Sequence, residues 1–269
     1  MITVTALCRH PVKGFPPEAL ASVALVAGSG FPGDRLFAVE NGPSGFDPAA
    51  PEHFPKIRYL QTMRNPGLWG LDLAWDAATR RLTLTQAGAT LASGPVDTAS
   101  GRAAIEAALD SLLGAEARGP LRLIEGKGWQ FMDSRKGFVS LVGRATLDAL
   151  SERALTDLDP RRFRANVWVE GLEPWAEFGL VGKRVRLGGA VLEVTHRIDR
   201  CRAVDANPAT GRHDTDLVGL LERDFGHHDV GVYARVLSGG RVAVGDTLAA
   251  LADVAPDEGA IGRADLPLR

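Results

Sequence analysis

Cysteine is nearly absent: Cys8 and Cys201 are the only two in 269 residues. Two thiols exclude a disulfide framework and a zinc ribbon, and a reducing cytoplasm is the expected compartment. Histidine is also sparse, and of six only His227 and His228 adjoin, with Asp229 after them. Neighbours on a strand point to opposite faces, so that pair does not predict a metal site. No apolar run approaches a membrane span, and the amino terminus lacks a signal-peptide pattern. A net charge of -2 gives no global attraction to nucleic acid or to an anionic membrane. Any anion site must therefore come from local clusters of arginine and lysine.

What is present is an ordinary globular composition, 45% hydrophobic and 24% charged, enough for one large or two modest domains. Short β-branched stretches bounded by Gly or Pro predict strands at residues 2–7, 23–26 and 35–40. Leu71, Leu73 and Trp75 alternate, as do Leu82 and Leu84, which predicts a hairpin about residues 76–79. Residues 41–56 carry Pro43, Pro48, Pro51 and Pro55, so a long loop is expected there, of the kind that forms lids or binding loops. Three helices follow from apolar spacing: one through Ile105, Leu109 and Leu113 with Ser100 near its start and Gly114 as its stop, one at 146–153, and one at 215–225 closed by Gly226. Further strands are expected from Leu121 and at 166–169, 185–187, 191–195 and 230–236, with a glycine turn at 239–240 leading into another. The class is mostly β with helices (α+β), barrel-like. A boundary is expected near Gly114 to Pro120, and the tail after Leu251 is polar and expected to fray.

Four cationic clusters fall at strand ends or turns: His10 to Gly14 with Lys13, Gly33-Asp34-Arg35, Arg161 to Asn166, and Arg200-Cys201-Arg202. Arginine forks and a lysine point charge suit phosphate. Cationic neighbours favour the thiolate of Cys201, and the predicted strand before it and turn after it put the sulfur where a ligand can reach. Gly126-Lys127-Gly128 lacks the full phosphate-loop spacing and reads as a turn. Cys8 reads as a packed thiol, and Trp129, Trp168 and Trp175 as core or rim packing.

In order, Pro11-Val12-Lys13, Asp34-Arg35, Arg162 to Asn166, Arg200-Cys201 with Pro208 to Gly211, and Val242 to Asp246 resemble the MOSC family with its amino-terminal β-barrel region. Within it, the chain is most similar to the mitochondrial amidoxime-reducing component and its bacterial relatives. The resemblance implies a MOSC-type β-barrel core at residues 119–252, a β-barrel-like region at 1–118 and a flexible tail at 253–269. It implies a molybdenum cofactor, Mo-molybdopterin, with Cys201 as the metal ligand. Lys13, Gly14, Arg35, Ser134, Arg164, Asn166 and Arg200 would bind the cofactor, and Asp133 would act beside the metal. The implied activity is reduction of N-hydroxylated small molecules with electrons from an external electron-transfer protein, in the cytoplasm. With two cysteines and little sequence after the MOSC pattern, no iron–sulfur domain is expected. Two alternatives share the site: a sulfur carrier holding a persulfide on Cys201, and a non-catalytic cofactor carrier. Three residues depart from the pattern. Gly14 stands in place of a frequent serine and is expected to cost a hydroxyl contact. Ala165 replaces a frequent proline and is expected to loosen the turn. Asp199 puts a carboxylate beside an anionic ligand, which Arg197 or Arg200 must offset.

Overall fold

The computed structural model describes residues 1–52, 54–132 and 138–252. The expected tail, Asp133 and Ser134 lie outside the described residues. The amino-terminal half holds β1 (Ile2–Arg9), β2 (Glu18–Leu20), β3 (Ser22–Leu25), β4 (Phe37–Asn41), β5 (Leu71–Asp76), β6 (Arg81–Gln86), β7 (Ala89–Pro95) and α1 (Ala99–Leu113). Next come β8 (Leu121–Glu125), β9 (Val139–Gly143), α2 (Arg144–Ala154), β10 (Val167–Glu170) and β11 (Arg184–Leu187). The chain closes with β12 (Ala190–Asp199), α3 (Leu217–Phe225), β13 (Asp229–Ser238), β14 (Gly240–Ala243) and β15 (Thr247–Ala250).

Seven strands close a barrel in the order β1-β10-β9-β13-β12-β11-β15, and β15 returns to β1. Every pairing is antiparallel except β9 with β10. Closure removes free edges, and the interior fills with inward residues such as Leu7, Leu141, Val167, Leu192 and Val232. β1 comes from the start of the chain yet serves as a stave of this barrel, and its far end also pairs with β2. β3 pairs with β14, whereas β8 turns back to pair with β4. Sheet pairing therefore crosses between the two halves of the sequence in both directions.

The hairpin forms as the alternation predicts, with Trp75 opposite Leu82 and Leu73 opposite Leu84. Its inward residues pack on the Ile105, Leu109 and Leu113 stripe of α1 in a second core. The cap of α1 is Thr98, two residues before Ser100: its hydroxyl accepts the Gly101 N–H at 3.0 Å, and Gly114 ends the helix with φ +49°. β9 escaped the sequence reading. All five of its residues are buried, so it lacks the alternation that marks a half-exposed strand.

Candidate functional site

The opening strand ends in Pro11-Val12-Lys13, which lies parallel to the segment at Phe37: Lys13 N–H donates to Phe37 O at 2.7 Å and Phe37 N–H to Pro11 O at 3.0 Å. Between them Arg35 adopts φ +51° and donates its N–H to His10 O at 2.6 Å. A left-handed arginine is strained by the order of 1 kcal/mol or more, and the buried Asp34 holds it there. Asp34 accepts the His10 N–H at 2.5 Å and pairs with the Arg35 guanidinium. Arg164 takes the same left-handed shape, φ +50°, where a 3-10 turn hands over to the approach to β10, and donates to Phe15 O at 2.5 Å. Lys13 Nζ donates to Phe131 O at 2.9 Å.

Cys201 lies two residues beyond the end of β12, exposed, before a 3-10 turn at residues 202–205. That turn is bolted from beneath. Arg162, 4% exposed, donates to Val204 O at 3.2 Å and Asp205 O at 3.0 Å, and grips both Asp214 oxygens at 2.7 and 3.0 Å. Asp205, fully buried, accepts the Leu217 N–H that opens α3 at 2.9 Å. Arg200 donates to Val230 O and to Phe163 O at 2.7 Å. Burial pushes its pKa down to about 10, against which Tyr233, Cys201 and Asp199 pull upward. It therefore stays cationic at neutral pH.

Lys13, Arg35, Arg164, Arg200 and Cys201, drawn from four separated stretches of sequence, line a single cleft. Gly14 and Asn166 border it too. Asn166 serves as a clamp: its Oδ1 accepts Ser140 N–H and Oγ–H, and its Nδ2 donates to Cys8 O at 3.2 Å, tying β9 and the approach to β10 onto β1. Gly14 corrects an expectation. With φ +77°, any Cβ there would sit 2.5 Å from Leu60 O, and Thr62 N–H donates to Gly14 O. Serine has no room, so glycine here is demanded by the packing of residues 60–62 rather than being a lost hydroxyl. Asp199 lines the cleft, and the Arg197 guanidinium faces Asp229 at 3.8 Å, leaving Arg200 as the cation that feels Asp199.

Sequence reasoning missed Lys56, whose Nζ lies 3.4 Å from Cys201 Sγ. The proline-rich loop that ends at Lys56 was its only signal. It also missed an aromatic wall: Phe138 stacks on Tyr233 with centroids 5.2 Å apart, both bordering the cleft, and His196 meets the Phe138 edge. Trp168 and Trp175 pack into the core beside α2 and α3, and Trp129 packs beneath the proline-rich loop. Cys8 is half-buried, and burial pushes its thiol pKa up. Residues 126–128 form a turn, with Trp129 N–H donating to Gly126 O. Among the described residues no His, Cys, Asp and Glu cluster suits a metal ion.

A family model described as the MOSC domain matches residues 130–249, and one described as the MOSC N-terminal beta barrel domain matches residues 1–117. The chain belongs to the MOSC family. This MOSC protein is similar in structure to the YuaD protein from Bacillus subtilis, with a TM-score of 0.46, 14% identity and coverage of 92% of this chain and 94% of that one. It is also similar to YiiM from Escherichia coli, with a TM-score of 0.33, 19% identity, and coverage of 44% of this chain and 55% of that one. No curated protein matches it.

The MOSC domain is associated with molybdenum cofactor binding, and the donor set fits such a group. Among the described residues the cleft is lined by six cationic side chains, Lys13, Arg35, Lys56, Arg162, Arg164 and Arg200, and by one carboxylate, Asp199; Asp34 and Asp214, behind the lining, offset Arg35 and Arg162 and leave a net positive site. That excess suits a doubly charged phosphate, and an exposed sulfur suits a polarisable metal. Among the described residues no helix is long and apolar enough to cross a membrane.

Proposed function

We propose that the chain is a cytoplasmic molybdenum-cofactor oxidoreductase that reduces N-hydroxylated small molecules with electrons from a separate protein. One observation carries the reading: a lone exposed thiol at a cleft whose cations come from five distant segments. Lys13, Arg35, Arg164 and Arg200 would hold the anionic cofactor, and Cys201 would ligate its metal. When bound, the cofactor supplies a two-electron redox centre. The net reaction breaks one N–O bond: the N-hydroxyl group takes up two electrons and two protons and leaves as N–H and water. The chain itself positions and insulates. Arg162 fixes the turn that carries Cys201, and Phe138 with Tyr233 offers a flat apolar face to a planar substrate. Asp133 remains the proposed proton relay.

The test is molybdenum and pterin content of protein made in a host that synthesises the cofactor, beside Cys201→Ala, with an amidoxime as substrate and reduced viologen as donor. Near-stoichiometric metal and turnover in the parent, both lost in the variant, are the expected result. A metal-free parent with a persulfide on Cys201 would replace this reading with sulfur transfer. Tight cofactor without turnover would replace it with a carrier.

A further inference from the structure

Lys56 differs from two of the other cations of the cleft. Arg35 has Asp34 and Arg162 has Asp214 as internal counter-ions. Lys56 has no carboxylate partner among the described residues, and the group its ammonium meets is Cys201 Sγ, 145 residues away and at 3.4 Å. An uncompensated ammonium directed at a sulfur has one obvious electrostatic use, to receive negative charge.

The placement is built, not incidental to a wandering loop. Glu40, buried at the end of β4, accepts the Ser44 N–H and hydroxyl and the Arg122 guanidinium. Arg58 donates to Ser44 O and lies over the Phe54 ring at 4.9 Å. Arg118 donates to Ile57 O at 2.7 Å, and Gln61, itself buried, donates to Lys56 O at 3.3 Å. Both ends of the proline-rich loop are thus tied to the amino-terminal core, and the backbone of Lys56 is held where its four-carbon stem reaches the thiol.

We infer that Lys56 is an anion-binding residue of the cleft, holding negative charge at the Cys201 sulfur, whether carried by the sulfur or by a ligand group beside it. The inference does not depend on the identity of the cofactor. It assigns the loop a binding role: the amino-terminal unit contributes a cation at the sulfur, and the barrel alone would present an incomplete site.

The probe is a pair of alkylating reagents, iodoacetate and iodoacetamide, used on cofactor-free protein. The thiolate attacks the carbon of each and displaces iodide, so their rate ratio at Cys201 cancels the thiolate fraction and reports the local field. Peptide mass spectrometry separates Cys201 from Cys8. The ratio of acetate to acetamide rates should fall about fivefold in Lys56→Met, as expected for one unit charge about 4 Å away in a watery site. Lys56→Arg should keep the parent ratio, and Lys56→Glu should fall below Lys56→Met. A structural role alone would not be rescued by charge in this way. Equal ratios in parent, Lys56→Met and Lys56→Glu, with unfolding curves unchanged, would overturn the assignment. Because no molybdenum enters the measurement, the proposed oxidoreductase function can fail without touching this result, and the reverse also holds.

Discussion

The two walls of the cleft are built differently. The barrel wall carries Cys201, Arg162, Arg164 and Arg200, and buried or part-buried hydrogen bonds to backbone carbonyls take up part of its guanidinium capacity. The amino-terminal wall carries Lys13, Arg35 and Lys56 on turns and a loop, where close chain contacts at Gly14 and the pairing of Arg35 with Asp34 set the geometry. The barrel wall fixes where the sulfur is. The amino-terminal wall decides how much charge surrounds it. A reactive atom needs a rigid seat, which a closed barrel with a packed core supplies. A charged ligand that must enter and settle is better met by side chains at the edge of a second unit.

Three changes test that contrast. The largest effect is expected on the barrel wall. Arg162→Met strips donors from two carbonyls and from Asp214, so unfolding free energy in urea should drop by about 3 kcal/mol, with faster amide exchange at residues 201–205. A stable variant with unchanged exchange would mean that packing, not this network, seats the thiol.

On the amino-terminal wall, Gly14→Ala forces a Cβ against Leu60 O at 2.5 Å in a left-handed backbone. The cost should be about 2 kcal/mol, and the shift of residues 60–62 should reduce the iodoacetate preference at Cys201. If instead the variant keeps both stability and preference, the walls do not differ as argued.

The smallest effect lies between the walls. His10 is fully buried, and its pKa is held well below the ordinary 6.5, first by desolvation and then by Arg164 and Arg35. The unfolded chain takes up a proton below that value and the folded chain does not. The stability from the neutral imidazole is therefore complete above about pH 6.5 and is lost as pH falls, by at most about 1.4 kcal/mol per pH unit. His10→Gln should flatten the parent's acid slope between about pH 5 and pH 6.5. Identical slopes would place the acid sensitivity elsewhere.

Much of this molecule was legible in its residues. Alternation at Leu71, Leu73 and Trp75 named a hairpin, the Ile105, Leu109 and Leu113 spacing named a helix, and both signals are local, so they survive folding. The ordered motifs around Lys13, Arg35, Arg164 and Cys201 pointed to the family that the chain belongs to. Other features had no local signal. β9 is buried on every side and shows no period. That β1 belongs to the barrel and β8 to the other sheet depends on pairing partners more than 70 residues away. Gly14 looked like a missing hydroxyl until Leu60 was beside it. Lys56 and Cys201 meet across 145 residues, and no periodicity or spacing encodes that meeting. Residue type and short-range pattern thus determined the elements and the chemistry on offer. Which charges face the sulfur was decided only by tertiary structure, because it depends on how the closed barrel and the amino-terminal unit pack.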